Sequence, residues 1–365
     1  MTSSSLTDAR RQDRLRALSL LLAVGLAVAA LVLGVLVWNA AAGEPTVEAD
    51  VGERLPLRSQ PYGREVTVKL PGSDVTVRVG DPVQTLGHDL LDVEYDDPTW
   101  DEQQDLVAPE DGSLVTASWR VQALGGFARE PDSNPIEIRL VVDDQRVDLD
   151  SVVVGDTSDA MSALDPTSVA VGVDGHPAAD DLVVEVEYDG HTQTAHIGSG
   201  EVDAGVAQAL YDDNNDFSPG CAQVQDTCAM RAAPGSSYRP RRATFTATNV
   251  TLYPYDATLG WADEGSVWAG VRLQLFGADS VEDAAGGYWS VRRQSAPRIS
   301  LDGADPVRRE GLEASTFDSH GRVVFQVDAD TEPRELVVAQ LVTPRGAGAP
   351  SPLTIRARLP LTPVG

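Results

Sequence analysis

The sequence predicts an all-β protein in which two antiparallel β-sandwich domains follow one N-terminal transmembrane helix. Three observations support this fold class. One long apolar run lies near the N-terminus, short segments of alternating hydrophobicity recur through the rest, and several motifs return at a nearly constant offset. After the apolar run about 320 residues remain, which is enough chain for two domains of ordinary size.

The apolar run, Ala17–Trp38, contains no charged residue. As a helix rising about 1.5 Å per residue it would span roughly 33 Å, which matches a hydrocarbon core of about 30 Å. The run therefore predicts a transmembrane helix over 17–38. A cleaved signal peptide is the alternative, because Ala40–Ala42 resemble a small-residue cleavage site, although signal sequences usually have a shorter apolar region.

Charges on the two sides of the run predict its orientation. Residues 1–16 form a basic tail, whereas acidic residues follow the run. The tail arginines are Arg10, Arg11, Arg14 and Arg16. By the positive-inside rule the tail is cytoplasmic and the C-terminal domains are extracellular. We therefore expect a single-pass protein of the cell membrane, and a cleaved signal peptide would also leave the body outside the cytoplasm.

The first strand pattern follows a predicted stalk at 39–62, which lacks a sustained period. Apolar residues alternate with polar ones along 66–70, and the alternation resumes along 75–79. Between the two segments, Pro71–Asp74 is a typical turn sequence. The pattern predicts a β-hairpin with one buried face.

Alternation recurs along 136–149 and 182–197, where Asp189–Gly190 predicts a type I′ turn. Residues 63–200 contain no convincing amphipathic helix. Short strands joined by turns are typical of an immunoglobulin-like sandwich, so we assign 63–200 to a first β-sandwich. The paired cysteines that flank a tryptophan in antibody domains are absent, and the prediction concerns the architecture alone.

Residues 201–240 differ in composition and predict a linker. Glu201–Tyr211 could form a short helix, with Val202, Val206 and Leu210 on one face. A small cysteine loop and a segment rich in Pro, Gly and Ser follow. We expect this linker to join the first sandwich to a second one at 241–365.

Cys221 and Cys228 are the two cysteines of the chain. An even number of cysteines outside the cytoplasm predicts a disulfide, here closing a small loop. A redox-active pair would have the CxxC spacing, and a zinc site would need further Cys or His ligands nearby. A structural disulfide is therefore the favoured interpretation.

The second half resembles the first at near-constant spacing. Four motifs match in order at offsets of 152 to 154 residues, which favours two related sandwiches over convergence of valine-rich strands. The matches are Asp111–Leu114 with Glu264–Val267, Arg120–Gln122 with Arg272–Gln274, Val173–Asp174 with Val327–Asp328, and Leu182–Val184 with Leu336–Val338.

The formal net charge of the chain is −28. The strongly acidic region that follows the apolar run is expected to repel nucleic acid and anionic lipid, because proteins bind both through many basic side chains. We therefore predict no nucleic-acid partner. The simplest role of the acidity is to keep the protein soluble.

Two acidic stretches are candidate calcium sites. Hard cations need several converging oxygen ligands, yet neither stretch has the complete EF-hand pattern, and acidic loops often only face water. The first comprises Asp92, Glu94, Asp96, Asp97, Asp101, Glu102, Asp105, Glu110 and Asp111. The second comprises Asp212, Asn214 and Asp216.

Motifs of common enzymes are absent. The chain has neither G-x-S-x-G nor H-E-x-x-H, and paired cysteines offer no thiol nucleophile. The histidines are scattered, at His88, His176, His191, His196 and His320. We therefore predict no catalytic residue, no metal site and no cofactor, with calcium as the alternative.

Aromatic residues concentrate in the second half. Exposed clusters of Trp and Tyr are common at sugar and protein contacts, whereas burial in a sandwich core is the commoner fate of tryptophan. The residues concerned are Tyr253, Tyr255, Trp261, Trp268, Tyr288 and Trp289.

The chain resembles the membrane-anchored or secreted Ig-like (DUF4352-type) proteins of actinobacteria. The resemblance depends on the N-terminal anchor, on the two β regions and on the G-S-[LV] strand motifs at Gly112 and Gly265. The resemblance covers both β regions and implies no site residues.

We predict a membrane-tethered, extracytoplasmic binding or accessory protein of the cell envelope that is not an enzyme. Its partner would be a protein or a cell-wall glycan. The alternatives are an envelope-associated hydrolase and a calcium-dependent adhesion module.

Overall fold

The computed structural model of the protein describes residues 46–92, 104–123, 134–153, 166–212, 215–221, 227–314 and 318–364. The fold is all-β, with 60% strand and 4% helix, as predicted. No helix among these residues is long and apolar enough to cross a membrane. The predicted tail 1–16 and transmembrane helix 17–38 lie outside the described part of the chain.

The described N-terminal half consists of short strands and three 3-10 helices. The helices are His88–Leu90, Ala179–Asp181 and Gly205–Leu210. The strands are β1 Thr46–Glu48, β2 Arg54–Pro56, β3 Arg64–Leu70, β4 Ser73–Val79, β5 Thr85–Leu86, β6 Asp105–Val107, β7 Gly112–Ala123, β8 Pro135–Val142, β9 Gln145–Val153, β10 Thr167–Asp174, β11 Leu182–Tyr188, β12 His191–His196 and β13 Val202–Asp203.

Strands β3 and β4 form the predicted hairpin. Val66 lies opposite Val77 and Val68 opposite Val75, and all four side chains are buried. The chain reverses at Gly72, whose φ of 75° favours glycine. Alternating hydrophobicity therefore identified the buried face of this hairpin correctly.

Two antiparallel five-stranded sheets enclose the N-terminal core. Their orders are β2-β10-β7-β4-β3 and β13-β12-β11-β8-β9. Buried side chains of both sheets, such as Val75, Val171 and Leu140, belong to one apolar cluster. A small sheet, β1-β6-β5, has a separate cluster around Leu106 and Leu114. The arrangement is β-sandwich-like.

Part of the predicted stalk is folded. Strand β1 pairs in parallel with β6, and β2 pairs with the edge of β10. Each of the two strands has three residues, which is too short for an alternation to be visible in the sequence. Pairing with strands far along the chain orders them, and such pairing leaves no local pattern.

The C-terminal half contains strands β14 to β30 in its described residues. They are β14 Asp216–Ser218, β15 Cys228–Ala229, β16 Arg231–Ala232, β17 Tyr238–Arg241, β18 Thr244–Ala247, β19 Val250–Tyr253, β20 Tyr255–Asp256, β21 Gly260–Trp261, β22 Ser266–Phe276, β23 Ser280–Asp283, β24 Tyr288–Gln294, β25 Arg298–Leu301, β26 Arg308–Gly311, β27 Asp318–Asp328, β28 Glu335–Arg345, β29 Leu353–Pro360 and β30 Thr362–Pro363.

Two antiparallel sheets again share one core. The first has the order β15-β18-β22-β19-β14-β30, and β27 pairs with both β22 and β26. The second has the order β16-β29-β28-β24-β23-β17, with β25 also paired to β28. Phe245, Val271 and Phe325 of the first sheet pack with Val338 and Ile355 of the second.

The predicted linker contributes to these sheets. Strands β14 to β16 lie within 201–240 and β17 begins there, and Cys221 and Met230 belong to the C-terminal core. The predicted helical face of Val202, Val206 and Leu210 does not form. Gly205–Leu210 is a 3-10 helix, in which Ala207 is buried. A 3-10 helix has three residues per turn, so residues spaced by four diverge.

Six strands of each half share their chain order and neighbours. In the N-terminal half they form the runs β10-β7-β4 and β12-β11-β8. In the C-terminal half β27-β22-β18 and β29-β28-β24 correspond, with β19 and β25 continuing the outer strands. The matched sequence motifs fall on equivalent strands, since they lie on or at the ends of β7 and β22, β10 and β27, and β11 and β28.

Candidate binding surface

The two acidic stretches are only partly described. Residues 93–103 and 213–214 lie outside the described residues. Asp105 accepts a 2.9 Å hydrogen bond from the backbone N–H of His88, and Asp216 accepts a 2.6 Å bond from the Thr251 hydroxyl. No group of three or more His, Cys, Asp or Glu side chains in the described ranges could hold a metal ion.

Cys221 and Cys228 form the predicted disulfide, with their Cα atoms 5.5 Å apart. Cys221 is buried in the C-terminal core and Cys228 begins β15. The bond therefore joins the chain after β14 to the edge of the first C-terminal sheet. It leaves no free thiol in the chain.

The predicted histidines do not converge. His191 and His196 lie at the two ends of β12, five residues apart, so their side chains project from opposite faces. His191 packs edge-on against Trp261, with ring centroids 5.1 Å apart. His320 lies in the C-terminal half, on β27. His191 and His196 therefore do not form a pair of imidazoles for metal binding or proton transfer.

The aromatic residues of the C-terminal half divide into buried and exposed groups. Tyr253, Tyr255 and Trp268 are buried, whereas Tyr288 is 54% exposed. Trp289 is half-buried and packs edge-on against Tyr238. The aromatic residues therefore include both buried core residues and an exposed residue, Tyr288, that is available for contact.

A buried charge network underlies the hairpin β20–β21. Asp256 is completely buried and accepts bonds from Arg308 at 2.5 Å and from Arg322 at 2.7 Å. The Tyr253 hydroxyl and the backbone N–H of Thr258 also donate to this carboxylate. Burial acts to raise the pKa of Asp256, but the Thr258 N–H and the two guanidiniums hold it below its usual range.

The same hairpin connects the two halves of the protein. Tyr255 and Trp261 pack edge-on against Tyr188 of β11, with ring centroids 5.3 and 6.3 Å from it. The Trp261 indole donates a 3.2 Å bond to the Tyr188 carbonyl. Tyr255 is thereby part of the N-terminal core although it belongs to the C-terminal half. The hairpin is a structural clamp.

A groove of about 560 Å³ lies beside this network on the outer face of β22 and β27. Its polar lining comprises Thr246, Thr248, Arg272, Gln274, Glu310, His320 and Arg322. Arg322 is committed to Asp256, and Glu310 forms an ion pair with Arg308. Charged residues of the groove therefore belong to the ion-pair network around Asp256, and we assign no reaction to the groove.

The outer face of the second C-terminal sheet is rich in arginine. Its exposed residues alternate with core residues, as Arg356 does between Ile355 and Ala357. We call this surface the arginine face. Its exposed arginines are Arg231, Arg239, Arg241, Arg293, Arg298, Arg345, Arg356 and Arg358.

Cross-strand register places three of these arginines in one row. Arg231 lies opposite Arg356, which lies opposite Ala339, which lies opposite Arg298. Direct cross-strand neighbours are about 5 Å apart at Cβ, and residues two strands apart about 10 Å. The row therefore brings three positive charges onto one narrow strip.

Most of this charge is uncompensated. Arg358 forms a 3.2 Å ion pair with Glu335. The other seven arginines form no ion pair with any residue that the structure describes. Leu341, which is 43% exposed, and Tyr288 lie on the same face. Arg and Tyr are enriched in protein binding sites, and the exposed leucine adds apolar area to this face.

Sequence reasoning missed the arginine face because the arginines are dispersed along the chain. Arg231, Arg298 and Arg356 lie on three separate strands and meet only through the register. The usable pattern was an arginine at alternate positions of exposed strands, as in 239 and 241 or 356 and 358.

The chain matches no family model, no curated protein and no solved structure.

Proposed function

We propose that the protein is a membrane-tethered, extracytoplasmic binding or accessory protein of the cell envelope and not an enzyme. The observation that carries this proposal is the arginine face, with seven exposed arginines that have no ion-pair partner among the described residues. Uncompensated charge together with exposed Leu341 and Tyr288 favours an external partner.

The proposed location follows from the composition of residues 1–38 and from the disulfide. The basic tail and apolar run at 1–38 favour a single span with a cytoplasmic N-terminus. A disulfide between Cys221 and Cys228 is suited to an oxidising compartment. Together they support C-terminal domains outside the cell.

We assign both halves to the immunoglobulin-like class on their strand order. In constant-type domains one sheet has the order A-B-E-D and the other contains C, F and G. In the C-terminal half, β18, β22, β27 and β26 occupy the A, B, E and D positions, and β24, β28 and β29 occupy C, F and G. In the N-terminal half β4, β7 and β10 correspond to A, B and E.

Site-specific photocrosslinking in intact cells tests the proposed function. A photoreactive residue replaces Leu341 at the centre of the arginine face, and a control replaces Val307, which is 52% exposed. We expect adducts from position 341 that disappear when Arg298 and Arg356 are changed to Gln. Equal adducts at both positions, or none at 341, would contradict a binding role for this face.

A further inference from the structure

The arginine face has properties that narrow the chemistry of its partner. It is the outer side of a seven-stranded sheet, so it offers an extended surface. Its charges are spread along and across the strands. Such an array matches a partner that carries many anionic groups along its length.

The row through β16, β29 and β25 points to a particular anion. Arg231 and Arg356 are direct cross-strand neighbours, and like charges in that relation destabilise a sheet unless an anion lies between them. A phosphate group presents several acceptor oxygens and binds guanidinium forks in bidentate fashion. One phosphate can therefore accept hydrogen bonds from both side chains, and a second can contact Arg298.

The aromatic residue on the face adds a second kind of contact. Tyr288 is 54% exposed and lies opposite Glu282, which in turn lies opposite Arg239. An exposed phenol ring combines an apolar face with a hydroxyl, which suits contact with a sugar ring. Arginines and an exposed tyrosine on one face fit a glycan that carries phosphate groups.

The distribution of charge along the chain directs such a polymer to this face. Residues 46–226 contain 38 carboxylates against nine basic residues, whereas residues 227–364 contain 15 of each. The excess negative charge thus lies in the N-terminal half. At physiological ionic strength charges are screened over about 8 Å, so that half repels polyanions from itself without cancelling attraction at the arginine face.

We propose that the arginine face binds a phosphate-bearing glycan polymer of the cell envelope. This inference rests on the proposed function, because it names the partner of that face. The row Arg231–Arg356–Arg298 holds the phosphates, and Tyr288 contacts the sugar. Binding through several phosphates makes the affinity fall steeply with salt, as it does for other polyanions.

The test measures binding of the full chain, in detergent micelles, to three dextrans of equal length. One carries phosphate, one carries carboxymethyl groups and one is unmodified. The variant is Arg231→Gln, Arg298→Gln and Arg356→Gln. The matched control changes three exposed arginines of the N-terminal half to Gln, namely Arg58, Arg120 and Arg146.

We expect phosphodextran to bind more tightly than carboxymethyl dextran, and unmodified dextran not to bind. The variant should lose about 30-fold in affinity, since each exposed charged contact contributes on the order of threefold. The control should keep the wild-type affinity. Tyr288→Ala should weaken phosphodextran binding but leave the binding of inorganic polyphosphate unchanged.

Two outcomes would overturn the inference. Phosphodextran could fail to bind, or it could bind the variant and the control equally. If adducts at Leu341 persist in cells while phosphodextran fails, the face has another partner and only the glycan inference falls. If position 341 gives no adducts and phosphodextran also fails to bind, the proposed function is contradicted as well.

Discussion

Asp256 is a carboxylate without solvent exposure that contacts two guanidiniums. Both arginines are nearly buried, so removal of the negative charge would leave two cations in a site with little access to water. Breaking a buried ion pair by removing one partner destabilises a protein by about 3 to 5 kcal/mol. The network holds the clamp β20–β21 in place, so its integrity affects more than the local structure.

We expect Asp256→Asn to lower the free energy of unfolding by about 3 kcal/mol. The midpoint of chemical denaturation measures this loss. The control Asp263→Asn removes an exposed carboxylate that accepts a single bond from Gln326, and it should change stability by no more than about 0.5 kcal/mol. Equal effects of the two substitutions would contradict the importance of the network.

The same carboxylate predicts a dependence of stability on pH. The pKa of Asp256 is lower in the folded protein than its unfolded value of about 3.9. The folded state therefore binds the proton less readily than the unfolded state. The stabilisation that ionised Asp256 contributes is complete above the unfolded pKa, and it is lost as the pH falls through the folded pKa. Acid denaturation of the wild type against Asp256→Asn measures it, because the variant should lose less stability between pH 5 and pH 2. An identical loss of stability in both proteins would show that Asp256 does not cause the pH dependence.

At the scale of elements, the hairpin β11–β12 depends on its two turn residues. Asp189 and Gly190 have φ values of 46° and 76°, as a type I′ turn requires. A Cβ at Gly190 would meet no atom within 4 Å, so the effect of a substitution there comes from the backbone alone. The turn lies next to Tyr188, which contacts the clamp.

Gly190→Ala should destabilise the protein by about 1 kcal/mol, since left-handed conformation costs roughly 1–2 kcal/mol for residues other than glycine. Thermal denaturation measures the change. The control Asp189→Asn keeps a residue that tolerates positive φ and should leave the melting temperature unchanged. A neutral Gly190→Ala would indicate that the turn relaxes to another type.

Local pattern predicted the elements that have long alternating segments. The hairpin β3–β4 and the turn at Asp189–Gly190 follow directly from residue order, and so does the disulfide. Strands of two or three residues, such as β2 and β16, carry no period and are ordered by their neighbours. The arginine face was beyond sequence reasoning for the same reason, because Arg231 and Arg356 become neighbours only when distant strands pair.

At the scale of the whole molecule, the two halves are held together by side chains that cross between them. Asn134 of the N-terminal half donates a 3.1 Å hydrogen bond to the hydroxyl of Tyr255 in the clamp. On the clamp, Trp261 contacts Tyr188 and His191. These contacts fix an acidic half against a half that carries the arginine face. They therefore determine where the acidic surface lies relative to any partner of that face.

Trp261→Ala should loosen this connection while leaving both cores folded. The substitution removes the indole bond to the Tyr188 carbonyl and the ring contacts with Tyr188 and His191. We expect hydrogen exchange of the amides in 183–196 to become about tenfold faster, which corresponds to about 1.4 kcal/mol of local opening. Exchange in the central strand β22 of the C-terminal core should stay as slow as in the wild type.

Trp289→Ala is the matched control, because Trp289 contacts Tyr238 and the Ala347 carbonyl within the C-terminal half. It should accelerate exchange around those residues and leave 183–196 unaffected. If both substitutions accelerate exchange at 183–196 equally, the effect is a general loss of stability and the clamp does not couple the halves. If only Trp261→Ala does so, the orientation of the acidic half depends on the aromatic contacts of Trp261, in the clamp that the buried Asp256 network stabilises.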